Sequence, residues 1–164
     1  MTVLAFLLTY FRHATGPTEI VAYCLGVAAI GALALVGRKV VATRRNVVVT
    51  QGAWPPGLAL GLITGAIGTP WAPLPVATTD AESGHVHLAA PPAVLAGLSV
   101  VLFVEAAWLG VPPLTLALAI AAIIMAGSTL LPIKPLDGAN LGKTGIVASA
   151  GVILGGVFIV LGLA

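Results

Sequence analysis

Side chains able to do chemistry are scarce in this chain, and the most informative lies in Leu130–Gly138, which reads LLPIKPLDG. Pro132 and Pro135 force the backbone out of helix there, and Asp137 and Gly138 follow on the irregular stretch. An acid flanked by long apolar runs is costly at membrane depth and normally has a purpose. One reading makes Asp137 a metal or polar site. Another makes it an N-terminal acid that stabilises a helix near Ala139, or a partner for Lys134 or Lys143.

Glu105 is a second acid inside an apolar run. Read functionally, it couples a proton or an ion. Read structurally, it lies about one turn from the break at Gly110 and reaches the interface. His85-Val86-His87 sets two imidazoles at strand spacing, both toward one side. That pair could bind a metal, but a third ligand is not evident, so chance in an exposed polar loop is the favoured explanation. Cys24 lies in an apolar run with no basic neighbour close in sequence, as a small buried hydrophobe does. Gly142-Lys143-Thr144 looks like the tail of a phosphate-binding loop, yet the position that needs the leading Gly is Asp137. His13 has no identifiable partner, and no Ser/His/Asp constellation emerges. Trp54, Trp71 and Trp108 fall near expected span or loop ends, where interfacial anchors collect.

The elements that must position these residues read as helices in lipid. The chain is 59% hydrophobic and 7% charged, against about 25% charged in an ordinary soluble domain. Seven Lys and Arg, mostly beside apolar runs, cannot line a groove that tracks phosphates, so nucleic acid is not an expected partner. The lipid bilayer is. The expected fold is an all-α integral membrane protein with about four to five transmembrane helices and a short re-entrant or β element after the first core span. Residues 1–164 read as a single transmembrane domain in a cell membrane.

The first span is expected over Ile20–Val36, opened by Gly16 as N-cap, Pro17 as N1 and Glu19 as N3. It closes at Arg38, Lys39, Arg44 and Arg45, and the helix can run on into that cluster. Asn46–Thr50 (NVVVT) has the β-branched character of a short strand. Gly57–Gly68 is apolar but only about 12 residues long, below the roughly 17 that a span needs. Pro70, Pro73 and Pro75 then break it, so 57–76 reads as re-entrant. Gly57, Gly61 and Gly65 recur every four residues, a spacing that permits close helix packing. Residues 77–87 form the one long polar stretch, a hairpin or loop edge. Further spans are expected from Pro91 to about Leu109, over Leu114–Leu131 and over Ile146–Ala164. Residues 1–11 are apolar without a basic n-region, which argues against a cleavable signal and for a half-buried extra piece. If 57–76 does not cross, six of the seven basic residues fall on one side, as the positive-inside rule favours. Both termini then lie outside.

The LLPIKPLDG segment resembles the site-2 protease family of intramembrane zinc metalloproteases, in which LLPxxPLDG ends one span and its Asp is the third zinc ligand. Asp137 matches that position. A second block of the family, E-x-G-x-(I/V)-x-L-A-G-P, is matched by Glu82, Gly84, Val86, Leu88, Ala89 and Pro91, with Ala90 in place of the usual Gly. Both blocks stand in family order with a span between them. The resemblance covers about residues 19–143 and leaves 146–164 as a final span. The departure from the family is its catalytic HExxH, two His that hold zinc and a Glu that activates water. None of His13, His85 and His87 precedes a Glu, and no HxxxH pair exists. With Lys39-Val40-Val41-Ala42 as anchor, the motif falls on Ala34-Leu35-Val36-Gly37-Arg38. Both ligand positions and the general base are gone, and Arg38 puts a cation where the second His would stand. Two further asparagines of the family fall on Val94 and Thr129.

Catalytic zinc needs about three protein ligands, and Asp137 supplies one. The resemblance therefore implies a proteolytically inactive relative that binds or scaffolds a transmembrane peptide, a lipid or a membrane-protein partner. No cofactor is expected unless the family activity is retained, in which case it is zinc. A pair between Asp137 and Arg38 would join the two remnants of the family's site. Charge reversal at Arg38 is then expected to harm folding, and reversal of both to rescue it. One alternative is an active metalloprotease with ligands from His85, His87, Asp137 and Glu105. Another is a small transporter or channel component that depends on Glu105, although one acid is thin support for a transporter.

Overall fold

The computed structural model describes residues 16–67, 71, 73–79, 88–109 and 113–161. Helix α1 (Pro17–Arg44) starts where expected, with Gly16 as N-cap in extended conformation, Pro17 in the first turn and Glu19 beside the N-terminus. It runs through the basic cluster and stops by a defined device. Asn46 has φ 53°, the left-handed conformation that Asn tolerates better than most residues. The Val47 N–H donates to the Ala42 carbonyl at 3.0 Å and the Asn46 N–H to the Thr43 carbonyl at 3.1 Å. This is the Schellman pattern. Asn46–Val48 thus serve the helix stop, so the strand expected over Asn46–Thr50 begins later. It is β1 (Val49–Gly52).

Helix α2 (Pro55–Ile67) follows, and the chain then returns to strand β2 (Val76–Thr79). The two strands pair antiparallel, with Gly52 opposite Val76 and Val49 opposite Thr79. The segment between them therefore leaves from and comes back to one small sheet. Gly57, Gly61 and Gly65 form the buried face of α2. That face is covered by the hairpin's own legs. A Cβ on Gly57 would run into the Trp54 ring, and one on Gly61 would stand 2.6 Å from the Trp71 carbonyl oxygen. The Trp71 N–H donates to the Thr64 hydroxyl at 3.0 Å. The Trp54 and Trp71 rings meet edge to face, with centroids 5.6 Å apart. The glycine spacing is thus used for packing, but against this return leg. The two indoles staple the legs, while Trp108 alone of the three is strongly exposed.

Helices α3 (Ala90–Leu109), α4 (Pro113–Leu130) and α6 (Gly142–Leu161), with the short α5 (Asp137–Asn140), complete the described chain. Helix α4 packs against α3, α1 and α6. It can be surrounded because its side chains are small: Ala119, Ala121, Ala122, Ala126 and Ser128 are all buried. Small residues let helix backbones approach where lipid removes the usual hydrophobic drive. Tyr23, Val27, Ile30 and Ala34 of α1 meet this core with Leu95 and Met125. The opposite sides stay apolar and exposed, including Val21, Leu25, Val36, Val100, Val104 and Val147. Open apolar surface of this kind is what helices long enough to cross a membrane would turn to lipid.

The molecule is mostly helical. Helix α1 and the stretch Ala90–Trp108 of α3 are long and apolar enough to cross a membrane, while 55–67 and 114–130 are shorter apolar helices. The final helix begins at Gly142, earlier than the expected Ile146, and is described to Leu161. Residues 1–11, most of the polar stretch 77–87 and the last three residues lie outside the described residues.

Candidate functional site

The site is assembled from α1, the leg before β2, the end of α4 and the LLPIKPLDG turn. Helix α4 ends at Leu130, just before Pro132. The turn then folds back on itself. The Ile133 N–H donates to the Leu131 carbonyl at 2.8 Å, and the Leu136 N–H to the Ile133 carbonyl at 2.8 Å. The Lys134–Pro135 peptide is cis. Leu136 is buried and plugs the turn into the bundle. Gly138 rests on the end of α4, where a Cβ would strike the Leu130 carbonyl oxygen. Glycine at this position lets the chain pass close enough to aim Asp137 inward.

The Asp137 carboxylate meets the guanidinium of Arg38, whose Nη2 donates to Oδ2. Both side chains are essentially inaccessible, at 0% for Arg38 and 1% for Asp137. Arg38 Nη1 also donates to the Pro75 carbonyl at 2.9 Å. The backbone of Ala77 in β2 lies close to the Asp137 carboxylate. Arg38 Nε and Asp137 Oδ1, a donor and an acceptor, are left without hydrogen bonds among the described residues. Burying two charges costs several kcal/mol per ion and is offset only by close pairing and further hydrogen bonds. The pair therefore binds α1 to the turn and, through Pro75, to the hairpin.

Thr129 completes the enclosure. Its hydroxyl donates to the Met125 carbonyl at 2.7 Å and accepts the Leu74 N–H at 3.1 Å. The leg 73–75 is thus held at Leu74 by α4 and at Pro75 by α1. Val94 lies against Gly37, where an added Cβ would stand 3.1 Å from a Val94 methyl. The positions singled out in sequence as Ala34–Arg38, Val94, Thr129 and Asp137 thus gather around one end of α1. The reach of Thr129 to Leu74 was missed in sequence. The only signal was a hydroxyl in a run of Ala, Ile and Leu.

Asp137 does stand as an acid in the first turn of α5, as one reading of the sequence expects, although no side chain caps that helix. Lys134 and Lys143 are exposed, and the partner is Arg38. Glu105 is exposed on α3 and is not part of this pair. His85, His87 and Glu82 lie outside the described residues. Zinc does not fit the donors present: among the described residues no three His, Cys, Asp or Glu come together. The one carboxylate at the site already faces a guanidinium, which would repel a second cation.

The chain matches no family model, no curated protein and no solved structure.

Proposed function

We propose that this protein is a multi-pass membrane protein with a site-2-protease-like core whose catalytic centre has been replaced by an internal ion pair, and that it works by binding or scaffolding. The observation that carries the reading is the buried Arg38–Asp137 pair. The two residues are 99 positions apart, and in the sequence only the resemblance linked them to one site. The cation of that site is supplied by a side chain, so no group there lowers the pKa of a water for hydrolysis. On this reading 57–76 re-enters the membrane without crossing. The pairing of Gly52 with Val76 supports this, as does a helix of 13 residues, about 20 Å at 1.5 Å per residue against a hydrocarbon core of about 30 Å. Such a core would then hold a transmembrane peptide or partner without cutting it.

The test is metal content and peptidase activity of the purified full chain, before and after Asp137→Ala. Well under one zinc per chain, unchanged by the substitution, is expected. Stoichiometric zinc that is lost in Asp137→Ala, together with cleavage of a transmembrane peptide, would overturn the reading. The architecture is tested by reversing the loss. The triple variant Ala34→His, Leu35→Glu, Arg38→His is expected to take up one zinc per chain and to release it when Asp137→Ala is added. A monodisperse triple variant that binds none would count against the family-like geometry.

A further inference from the structure

One face of α1 carries a second feature. At 100° per residue, Val21, Leu25, Leu33, Val36 and Val40 fall on one side of the helix, and all five are exposed. Tyr23, Val27, Ile30, Ala34, Arg38 and Ala42 take the buried side. The exposed stripe runs for about 27 Å from Val21 to Lys39, close to the thickness of a hydrocarbon core. It then changes character abruptly. Lys39, Thr43 and Arg44 continue the same face, exposed. Two depressions meet there. One, of about 470 Å³, lies between the last turns of α1 and β1 and is lined by Lys39, Thr43, Val47 and Gln51 among others. The other, of about 430 Å³, runs along the helix over Val36, Val40 and Arg44 and shares Lys39 and Thr43. Among the described residues, neither Lys39 nor Arg44 is paired with an acid.

We infer that this face is a binding site for an anionic phospholipid, with the phosphodiester at Lys39 and Arg44 beside the Thr43 and Gln51 side chains, and an acyl chain along Val40, Val36 and Leu33. Charge complementarity selects the occupant. Unpaired cations at the end of a lipid-facing apolar stripe attract an anion that also has a tail, and each basic residue at an anionic surface contributes measurably. A zwitterionic lipid offers the same tail but a compensated headgroup. A free phosphate offers the charge without the tail. The site rests on the membrane reading of α1 and does not depend on the protease resemblance.

The experiment is native mass spectrometry of the full chain released from micelles containing phosphatidylglycerol and phosphatidylcholine with identical acyl chains. The variants are Lys39→Gln/Arg44→Gln and, as a charge-matched control, Lys134→Gln/Lys143→Gln. Wild type is expected to retain phosphatidylglycerol over phosphatidylcholine. The Lys39/Arg44 variant is expected to lose that preference roughly tenfold, and the control to keep it. Equal retention of the two lipids by wild type overturns the inference. So does equal loss in both variants, which would mean a diffuse charge effect. Displacement of the lipid by millimolar inorganic phosphate also overturns it, as does a dimer that takes the lipid's place and is lost in the Lys39/Arg44 variant. Resistance of every chain to alkaline carbonate extraction reads membrane insertion separately, so failure of the lipid site and failure of the membrane reading are told apart.

Discussion

Arg38 and Asp137 each lose more by standing alone than they gain by being together. A buried pair that loses one partner leaves an uncompensated charge, which costs about 3–5 kcal/mol, whereas removal of both charges with retained volume is often neutral or better. Arg38→Ala and Asp137→Ala are therefore each expected to destabilise the protein by about 3–5 kcal/mol, read as a fall in melting temperature in detergent. Arg38→Met/Asp137→Leu should recover most of that loss. Reversal of Arg38 alone to Glu should harm folding further, because two acids then share one enclosure, and Arg38→Glu/Asp137→Arg should recover part of it. If the single variants melt like wild type, the pair does not hold this core together. The Pro75 carbonyl, 2.9 Å from Arg38 Nη1, limits recovery in any variant without the guanidinium.

At the scale of elements, two devices hold the site, and each turns on a glycine. The LLPIKPLDG turn seats Gly138 against the carbonyl oxygen of Leu130. The neighbour is backbone, which cannot step aside as a flexible side chain can. Gly138→Ala is expected to cost about 3 kcal/mol, with loss of the Arg38–Asp137 contact, and Ala139→Gly, one position on, should cost only about 1 kcal/mol. Comparison of their melting curves checks this. The hairpin has its own lock. Gly61 faces the Trp71 backbone, and the Trp54–Trp71 contact closes the legs. Gly61→Leu should pry the return leg from α2, raising hydrogen exchange at the Trp71 amide while leaving amides in the centre of α4 protected. Equal exchange in wild type and variant would mean that the legs are held from elsewhere.

At the scale of the whole molecule, the distribution of cations relates the fold to the bilayer. Lys39, Arg44 and Arg45 follow one apolar stretch, and Lys134 lies within, and Lys143 just after, the turn that meets Arg38. The Arg38–Asp137 contact brings these two regions together. If 57–76 re-enters the membrane without crossing, as proposed, both sets would face one side, as the positive-inside rule prefers. Reporter fusions at Ser83 and Ala164 are then expected on opposite sides of the membrane. Fusions that report the same side would mean that one of the three later helices does not cross.

Much of this was legible in the chain itself. Composition, with only 7% charged residues, pointed to apolar helices, and two described helices are long and apolar enough to cross a membrane. Pro17, Pro91 and Pro113 mark helix starts by local backbone rules, and Pro132 follows an end. The positions of the site could be singled out from motif spacing, and a contact between Arg38 and Asp137 could be framed as an expectation. Other features depended on the assembled chain. Asp137 has three cations within reach of a plausible reading, and sequence proximity favours Lys134 and Lys143. Only the enclosure formed by α1, α4 and the Pro75 leg buries one of the three. Likewise the NVVVT run has strand character, but left-handed Asn46 gives its first residues to the helix stop. The glycines of α2 advertise a packing face without naming its occupant. Local rules decide which backbone shapes a stretch can take. Which polar group is left dry, and therefore which partner it must have, is a property of surfaces that meet only after distant segments pack.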